Sequence, residues 1–171
     1  MKVRPLTKEE IHLIISYFHS ATPDFLRGMG ADPNKLPNKT EWTQTIEKEI
    51  DLPLEEKKLF YLFWIQDNKP IGHSNLTSLH FGSKGSMHLH LWNSISRKKG
   101  LGLNFLKQCL PYYFEHFKLK TLICEPYALN KAPNAILPKL GFIKTKKYKT
   151  IPGTINFYQE MNRWELKRNT P

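Results

Sequence analysis

The sequence has few cysteines, no long apolar run and a shortage of acidic residues, and each shortage narrows the class of protein it can belong to. Its two cysteines, Cys109 and Cys124, show no metal-ligand spacing and lie among apolar neighbours. We expect both to be reduced core residues, with no metal site and no disulfide framework.

The longest uninterrupted apolar run covers residues 59–65, which is far too short to cross a bilayer. Charged residues at positions 8–10 interrupt the segment in which a signal peptide needs apolar residues. The sequence therefore predicts an unexported, cytoplasmic protein without a membrane span. With 171 residues, 40% of them hydrophobic and 12% aromatic, one folded domain is expected.

Basic residues outnumber acidic ones. The chain has 26 Lys and Arg but only 15 Asp and Glu, which gives a formal net charge of +11 at pH 7. Such an excess predicts an anionic partner. Nucleic acid, a phosphorylated cofactor and an acidic protein surface all fit it, and a solvated basic surface without a partner is the alternative.

Two helices and a long connection are predicted for the N-terminal third. Thr7 and Glu10 are spaced as a capping box, and apolar residues follow on one helical face, which predicts a helix over residues 7–19. Residues 21–39 contain several prolines, glycines and asparagines, so we expect an irregular loop that lines a substrate site. A second helix is predicted over residues 40–52.

The middle of the chain predicts an antiparallel meander of three strands. Residues 59–66 are aromatic and β-prone, residues 71–81 form the return strand, and residues 86–92 alternate with period two. A long helix with an apolar stripe follows, and Pro111 within it is expected to kink or split it.

The C-terminal third predicts a βαβ unit and a closing hairpin. Residues 121–124 read as a short buried strand, parallel to the strand that precedes the long helix. A short helix over residues 132–140 is expected to end at Gly141, and strands over residues 142–150 and 154–164 complete the chain.

A basic segment with two glycines, residues 96–104, joins the third strand to the long helix. Gly100 and Gly102 let the backbone approach a ligand closely, and the free N–H groups at the start of the helix point back at that ligand. Together with the helix dipole and three cations, they predict a phosphate site. A tight turn with solvated lysines is the alternative.

Two short sequence motifs occur along this series of predicted strands and helices. The run Arg97-Lys98-Lys99-Gly100-Leu101-Gly102 is similar to a Gln/Arg-x-x-Gly-x-Gly/Ala signature directly after a strand. Asn130 and the run Lys139-Leu140-Gly141-Phe142 are similar to an Asn followed by a helix that ends in Lys-x-Gly-Phe. In both motifs the chain resembles the GNAT superfamily of acyl-CoA-dependent N-acetyltransferases, well over residues 59–165 and loosely before them.

The resemblance implies a GNAT-like α/β fold, in which a mixed, mostly antiparallel central sheet and a βαβ cofactor-binding core are flanked by helices. It implies a single domain over residues 1–171. Its parts would be the acceptor-side helices and loop (about 1–58), the acyl-CoA core (about 59–142) and a closing hairpin (about 143–166).

The resemblance also implies acetyl-CoA as acyl donor, with no metal. The glycine segment would bind the pyrophosphate through backbone N–H groups, and its basic side chains would add charge nearby. One asparagine would contact the pantetheine, and backbone groups at the end of the third strand would pair with the pantetheine amides. The cofactor-binding residues implied in this way are Leu91, Trp92, Asn93, Arg97, Lys98, Lys99, Gly100, Leu101, Gly102, Leu103 and Asn130.

Acyl transfer to an amine needs a base, and histidine is the natural base near neutral pH. Alternation places Ser86, His88, His90 and Trp92 on one face of the third strand. Ser86 stands where many GNAT enzymes carry a glutamate base. We hypothesise that His88 or His90, directly or through a water, takes a proton from the acceptor amine; the alternative is that both are satisfied structural residues.

The sequence departs from the family at the position of the general acid. Leu137 stands where a common GNAT pattern has tyrosine, and Pro133 where a related subgroup has serine. Tyr127 is a candidate acid for the leaving thiolate, and Glu125 a candidate to orient a histidine or bind the amine. Ring stacking for the tyrosine and a surface ion pair for the glutamate are the alternatives.

We therefore predict an N-acetyltransferase that moves an acetyl group from acetyl-CoA to a primary amine by direct attack on the thioester. A small-molecule amine is favoured over a protein as acceptor, nucleic acid is not expected, and the enzyme would be a monomer or homodimer. Acceptor selection is expected in residues 21–39 and in the last hairpin. The alternative is a non-catalytic protein of this fold whose basic surface engages nucleic acid or a protein partner.

Overall fold

One mixed sheet of seven strands forms the centre of the molecule, in the order β1-β2-β3-β4-β5-β7-β6. The computed structural model describes residues 1–92 and 100–168. The strands are β1 (Lys2–Pro5), β2 (Phe60–Gln66), β3 (Lys69–His80), β4 (Lys84–Leu91), β5 (Thr121–Cys124), β6 (Ile143–Thr150) and β7 (Gln159–Lys167). The helices are α1 (Ile11–His19), α2 (Pro23–Gly28), α3 (Lys39–Asp51), α4 (Leu101–His116) and α5 (Lys131–Ile136), with 3-10 turns at Lys8–Glu10, Pro33–Lys35 and Leu137–Leu140.

Neighbouring strands are antiparallel except for β4 and β5, which are parallel. The mixed α/β fold class is thus confirmed, with the predicted meander in β2, β3 and β4 and the βαβ unit in β4, α4 and β5. The sequence did not predict β1, which pairs with β2 through Lys2 opposite Ile65. Gly141 ends the short helical segment with φ of +87°, as predicted.

Helices cover both faces of the sheet and create two apolar cores. On one face α4 packs over Trp64, whose indole stacks on Phe105 with ring centroids 5.4 Å apart. On the other face α1, α2 and α3 surround Phe63. Because both faces are covered, the aromatic run of β2 is buried on each side in turn, and this explains its lack of polar alternation.

The long connection contains more regular structure than the sequence predicts. Residues 21–39 include α2, whose N-cap Thr22 accepts a hydrogen bond at Oγ1 from Phe25 N at 3.3 Å. Pro111 lies inside a continuous α4, so the predicted split does not occur.

The first helix also begins differently from the predicted capping box. Thr7 donates to Glu10 Oε2 at 3.1 Å, but its side chain caps no backbone N–H. Arg4 binds the same carboxylate through two nitrogens, at 2.6 and 2.7 Å. The glutamate therefore anchors β1 to the first helical turn, and hydrogen bonding to Arg4 is the main cause that lowers its pKa.

The connection is fastened to the closing hairpin. Gly30 O accepts hydrogen bonds from Asn156 Nδ2 at 2.8 Å and from Gln159 Nε2 at 2.7 Å. The φ of Gly30 is +93°, which strains any other residue, and an added Cβ would also clash with the Gln159 side chain, so glycine is strongly favoured here. The two segments predicted to select the acceptor thus contact each other.

Both cysteines are buried and free, as predicted. Among the helices within residues 1–92 and 100–168, none combines the length and apolar character needed to cross a bilayer.

Candidate active site

Strands β4 and β5 lie side by side at one end and separate at the other. In the described part of the chain, their parallel ladder covers three residues of each strand and ends with Ser86 opposite Ile123. Beyond this point β4 continues beside β3 as far as Leu91, while the chain after β5 follows β7. The strands therefore diverge and leave a cleft in the sheet at their C-terminal ends.

The segment after β5 keeps the extended course of that strand. Asn162 N donates to Pro126 O at 3.1 Å, and Tyr127 forms an antiparallel bridge with Met161. These pairs continue the register between β5 and β7. The far wall of the cleft is thus extended backbone attached to β7.

Alternation along this wall decides which side chains face the histidines. Ile123 lies opposite Ser86 in the ladder, so the two side chains share a face of the sheet. Two and four residues further on, Glu125 and Tyr127 lie on that same face. All four predicted catalytic residues therefore share one face, with the two histidines on one side of the cleft and these two residues on the other.

His88 lies just beyond the end of the ladder and has an exposed side chain. Its Nε2 is 2.9 Å from Thr77 Oγ1. When Nε2–H donates to that hydroxyl, Nδ1 keeps its lone pair for a substrate. The pKa of His88 is lowered from its usual value, because desolvation outweighs the opposing effect of the Glu125 carboxylate. Because His88 is exposed to solvent, we expect desolvation to act less on its ring than on the buried ring of His73.

His90 is paired with a histidine that the sequence analysis missed. His73 of β3 lies directly opposite it, and the two rings stack with centroids 4.8 Å apart. Trp92 Nε1 donates to His73 Nδ1 at 2.8 Å, which places the proton on His73 Nε2. That nitrogen is buried, and among the described residues it has no partner. Tyr17 Oη of α1 lies 3.4 Å from His90 Nδ1.

Desolvation keeps this stacked pair neutral, with His73 fully buried and His90 partly exposed. Desolvation, with a smaller contribution from neighbouring imidazoles, lowers the pKa of His73 well below 6.5 and that of His90 to about 3. A stacked, desolvated pair of imidazoles is poorly suited to gain a proton from substrate. Of the two histidines that the sequence left open, the geometry favours His88 as the base.

Glu125 is held by residues from β6 and β7. Its Oε1 accepts from Tyr148 Oη at 2.5 Å and from Arg163 Nη1 at 3.3 Å. Arg163 Nε also donates to Glu165 Oε1 at 2.7 Å. Burial, together with the hydrogen bond to Glu125, raises the pKa of Tyr148 to about 12. The carboxylate is therefore a member of an ion-pair cluster, and its side chain is 23% exposed.

Tyr127 and Asn130 are positioned by one amide that the sequence analysis also missed. Asn134 Nδ2 donates to Tyr127 O at 3.0 Å and to Asn130 O at 2.8 Å. Its Oδ1 accepts from Asn162 Nδ2 at 2.8 Å and from Trp164 Nε1 at 3.1 Å. All four hydrogen-bonding positions of the amide are thus occupied. The Tyr127 ring packs edge-on against Phe157, with centroids 5.7 Å apart.

Replacing Asn134 by Asp is expected to lower the free energy of unfolding by about 2 kcal/mol, because a carboxylate cannot donate to the two carbonyls. Urea denaturation measures this difference. The matched control is Asn34→Asp, which makes the same substitution at an exposed position. This control should change the free energy of unfolding by less than about 0.5 kcal/mol. Equal effects of the two substitutions would show that the hydrogen bonds of the Asn134 amide do not stabilise the segment from Tyr127 to Asn130.

The predicted anion cradle lies at the start of α4. Gly100 is its N-cap, with φ of +71° and open space where a Cβ would be. Asn104 N donates to Gly100 O at 3.2 Å, which is the first hydrogen bond of the helix within the described residues. The amides of Leu101, Gly102 and Leu103 lie in the turn before it, where helix N–H groups are available to a ligand. Three amides at the start of a 16-residue helix fit a phosphate group.

The other implied cofactor contacts are only partly described. Trp92 N donates to Ile71 O at 3.0 Å, so this amide belongs to the pairing with β3. Alternation directs the backbone groups of Leu91 away from β3, toward the cleft. The remaining residues implied to bind the cofactor lie outside the described residues: Asn93, Arg97, Lys98 and Lys99. Among the residues described, no three His, Cys, Asp or Glu side chains group so as to hold a metal.

A cleft between two diverging parallel strands, a helix-start anion cradle and the surrounding fold are features of the acyl-CoA-dependent N-acetyltransferase class. A family model described as an acetyltransferase (GNAT) domain matches residues 1–143. The chain belongs to this family, and it is an enzyme of the N-acetyltransferase class. A sequence search of curated proteins gave no significant match.

Solved structures share this fold at low sequence identity. A RimL acetyltransferase for the ribosomal L7/L12 protein, in complex with coenzyme A, is 12% identical over 96% of this chain and 92% of its own, with a TM-score of 0.77. A Vibrio cholerae spermidine N-acetyltransferase with CoA and spermine is 13% identical (97% and 94% covered, TM-score 0.78). A ribosomal-protein-S5-alanine acetyltransferase from Vibrio fischeri is 17% identical (99% and 94% covered, TM-score 0.77).

Proposed function

We propose that the protein transfers an acetyl group from acetyl-CoA to a primary amine by direct attack on the thioester. The observation that supports this proposal is the divergence of β4 and β5 beyond Ser86 and Ile123, with His88 on one strand and Glu125 on the segment that follows the other. Membership of the GNAT family and the CoA complexes among similar structures support it. The cytoplasmic location remains a prediction.

The donor would be bound mainly by backbone groups. The amides of Leu101, Gly102 and Leu103 would bind the pyrophosphate. Backbone groups at the end of β4 would pair with the pantetheine, and Asn130 would contact it from the opposite wall. Acetyl-CoA supplies the activated acyl group, and these contacts orient its carbonyl toward the histidine face.

The acceptor would enter on the side of His88. Its neutral nitrogen forms a bond to the thioester carbon, the C–S bond breaks, and His88 Nδ1 takes a proton from the nitrogen. Tyr127 is proposed to return a proton to the thiolate. Glu125 would orient the amine or His88, since its charge acts on this imidazole.

The proposal is tested by ligand-dependent melting and by thiol release. Acetyl-CoA at 100 times its Kd should stabilise the native state by about 2.7 kcal/mol, which raises Tm by several degrees. A panel of primary amines should then release free thiol from acetyl-CoA. A shift in Tm with short DNA or RNA, combined with no shift with acetyl-CoA, would instead support a non-catalytic binding protein.

Replacing Tyr127 by Phe is expected to lower kcat about 10²-fold, because general acid catalysis typically contributes that much. The KM for acetyl-CoA should stay within about twofold, since the packing of the ring on Phe157 is retained. Steady-state thiol release measures both constants. Turnover within twofold of the native enzyme would assign the ring to packing alone.

A further inference from the structure

We propose that a basic surface at the end of the sheet away from the cleft binds single-stranded nucleic acid. Three segments form it, and we call it the distal surface: residues 80–84 between β3 and β4, residues 116–121 between α4 and β5, and residues 166–168 at the end of β7. This binding goes beyond the proposed acetyl transfer and does not depend on it. It differs from the expectation, drawn from the sequence, that nucleic acid is not a partner.

Hydrogen bonds between backbone groups join the three segments. Gly82 N donates to Phe117 O at 2.9 Å, and Lys120 N donates to Ser83 O at 2.7 Å. Arg168 N in turn donates to Lys120 O at 2.9 Å. Strands β4 and β5 begin here, while β3 and β7 end here, so this is the opposite end of the sheet from the cleft. The three segments therefore form one continuous surface.

The distal surface is basic and contains no carboxylate. Its three segments include five Lys or Arg residues and no Asp or Glu. All five basic residues are exposed, and within the described part of the chain none of them forms an ion pair. They are Lys84, Lys118, Lys120, Lys167 and Arg168. Without a local counter-charge they create a positive potential that a polyanion complements.

Two of these lysines lie in one row across three strands. Lys84 of β4 is opposite Thr121 of β5, and Thr121 is opposite Lys167 of β7. Residues in one row share a face of the sheet, and neighbouring strands are about 4.8 Å apart, so the Cα atoms of the two lysines are about 10 Å apart. The row thus presents two ammonium groups and a hydroxyl, which are the groups that contact a phosphate backbone.

The end of α4 does not account for this amount of charge. A helix C-terminus is equivalent to about half a negative charge, which one nearby cation balances. Lys118 follows the helix closely, and its Nζ lies 5.7 Å from the centroid of the Phe81 ring. The side chains of the other four basic residues have no hydrogen bond or ion pair to any described residue. Their charge is therefore available to a partner.

A stack of aromatic rings ends at the same surface and indicates what kind of polyanion fits. Tyr112 stacks with Phe60, with centroids 5.9 Å apart and 15° between the planes, and with His116, at 3.7 Å and 4°. His116 is exposed, so its imidazole ends the stack at the solvent. A nucleobase can continue such a stack, and every base has the π-face that this requires. The carboxylates of an acidic protein make no comparable contact, so the rings favour nucleic acid.

The distal surface is separate from the proposed cofactor site. Helix α4 begins at the anion cradle, and its 16 residues end at His116. At 1.5 Å per residue the two ends of the helix are about 24 Å apart. Coenzyme A bound at the cradle would therefore leave the distal surface open.

Fluorescence anisotropy with the full chain and a labelled 12-nucleotide single-stranded RNA tests the proposal. In 50 mM salt the RNA should bind at least about 10-fold more tightly than a labelled peptide of 12 glutamates, because only the RNA combines charge with stacking. A saturating concentration of coenzyme A should not displace it. DNA of the same sequence is measured in parallel, and the tighter of the two identifies the nucleic acid that the surface prefers.

Removal of charge locates the binding site. Lys120→Ala combined with Lys167→Ala should weaken RNA binding at least about fivefold and make the slope of log affinity against log salt shallower by about 1. The matched control is Lys2→Ala combined with Lys69→Ala, which removes the same charge from exposed positions at the other end of the sheet. It should change the Kd by less than about threefold.

Removal of the exposed ring tests the stacking contact separately. His116→Ala should weaken RNA binding about fivefold, the range of a lost base–aromatic stack. The factor should be similar in 50 mM and 300 mM salt, since salt screens charge and not stacking. Binding of the glutamate peptide should stay unchanged. A variant that binds RNA as tightly as the native chain would overturn the role of the ring stack.

The outcomes separate this inference from the proposed function. No RNA or DNA binding, or a glutamate peptide that binds as tightly as RNA, overturns the assignment to nucleic acid. Displacement by coenzyme A, or equal losses in the two double-lysine variants, overturns the assignment to the distal surface. Amine-dependent thiol release is measured independently, so the acetyltransferase stands in each of these cases. A chain that binds RNA and releases no thiol would support this inference and overturn the proposed function.

Discussion

Replacing His88 by Ala is expected to lower kcat for acetyl transfer by about 10²- to 10³-fold, in the range of a lost general base. The imidazole lies just beyond the β4/β5 ladder, is exposed, and is oriented through Nε2 by Thr77. Removing it leaves the acceptor nitrogen without a proton acceptor after attack. Because the proposed donor contacts are backbone amides of α4, KM for acetyl-CoA should change by less than about threefold.

Two controls accompany this measurement. His80→Ala removes an exposed histidine at the far end of β3 and should leave kcat within about twofold of the native value. Thr77→Val removes the hydroxyl that orients the ring and should lower kcat about 10-fold. A His88→Ala enzyme that keeps native turnover at every pH between 6 and 9 would rule out the base assignment.

Acidification from pH 7 to pH 5 is expected to lower the free energy of unfolding by about 4 kcal/mol through His73 and His90 alone. Both pKa values lie below 6.5 in the folded protein, well below for His73 and at about 3 for His90. The unfolded chain therefore binds more protons in this window, and stability falls with pH. Each ring contributes about 2 kcal/mol over this range. The groups that face the pair are His88, Tyr17 and Tyr61.

Urea denaturation at pH 7, 6 and 5 measures this dependence. The window ends at pH 5 so that most carboxylates remain ionised and contribute little. The variant with His73→Phe and His90→Phe removes both titrating groups and should flatten the dependence, even if its stability at pH 7 differs. A native protein whose unfolding free energy is constant from pH 7 to pH 5 would show that the pair is not held neutral.

Local patterns determined the elements of the fold. The aromatic run of β2, the alternation of β4 and the apolar stripe of α4 each reflect neighbours a few residues apart, so they can be recognised without long-range information. The glycine segment before α4 was recognisable for the same reason, because its chemistry depends on consecutive residues. The alternation of β4 likewise placed His88 and His90 on one face before any partner strand was known.

Tertiary structure decided how these elements meet. Nothing in the sequence indicates that His73 and His90 meet; only the β3/β4 register makes them a stacked pair, and this pairing supports our proposal of His88 as the base. The end of the ladder after Ser86 opens the cleft, and the path of the chain along β7 brings Glu125 to Arg163. These contacts join residues far apart in the chain, and no local propensity encodes which distant side chain will lie opposite.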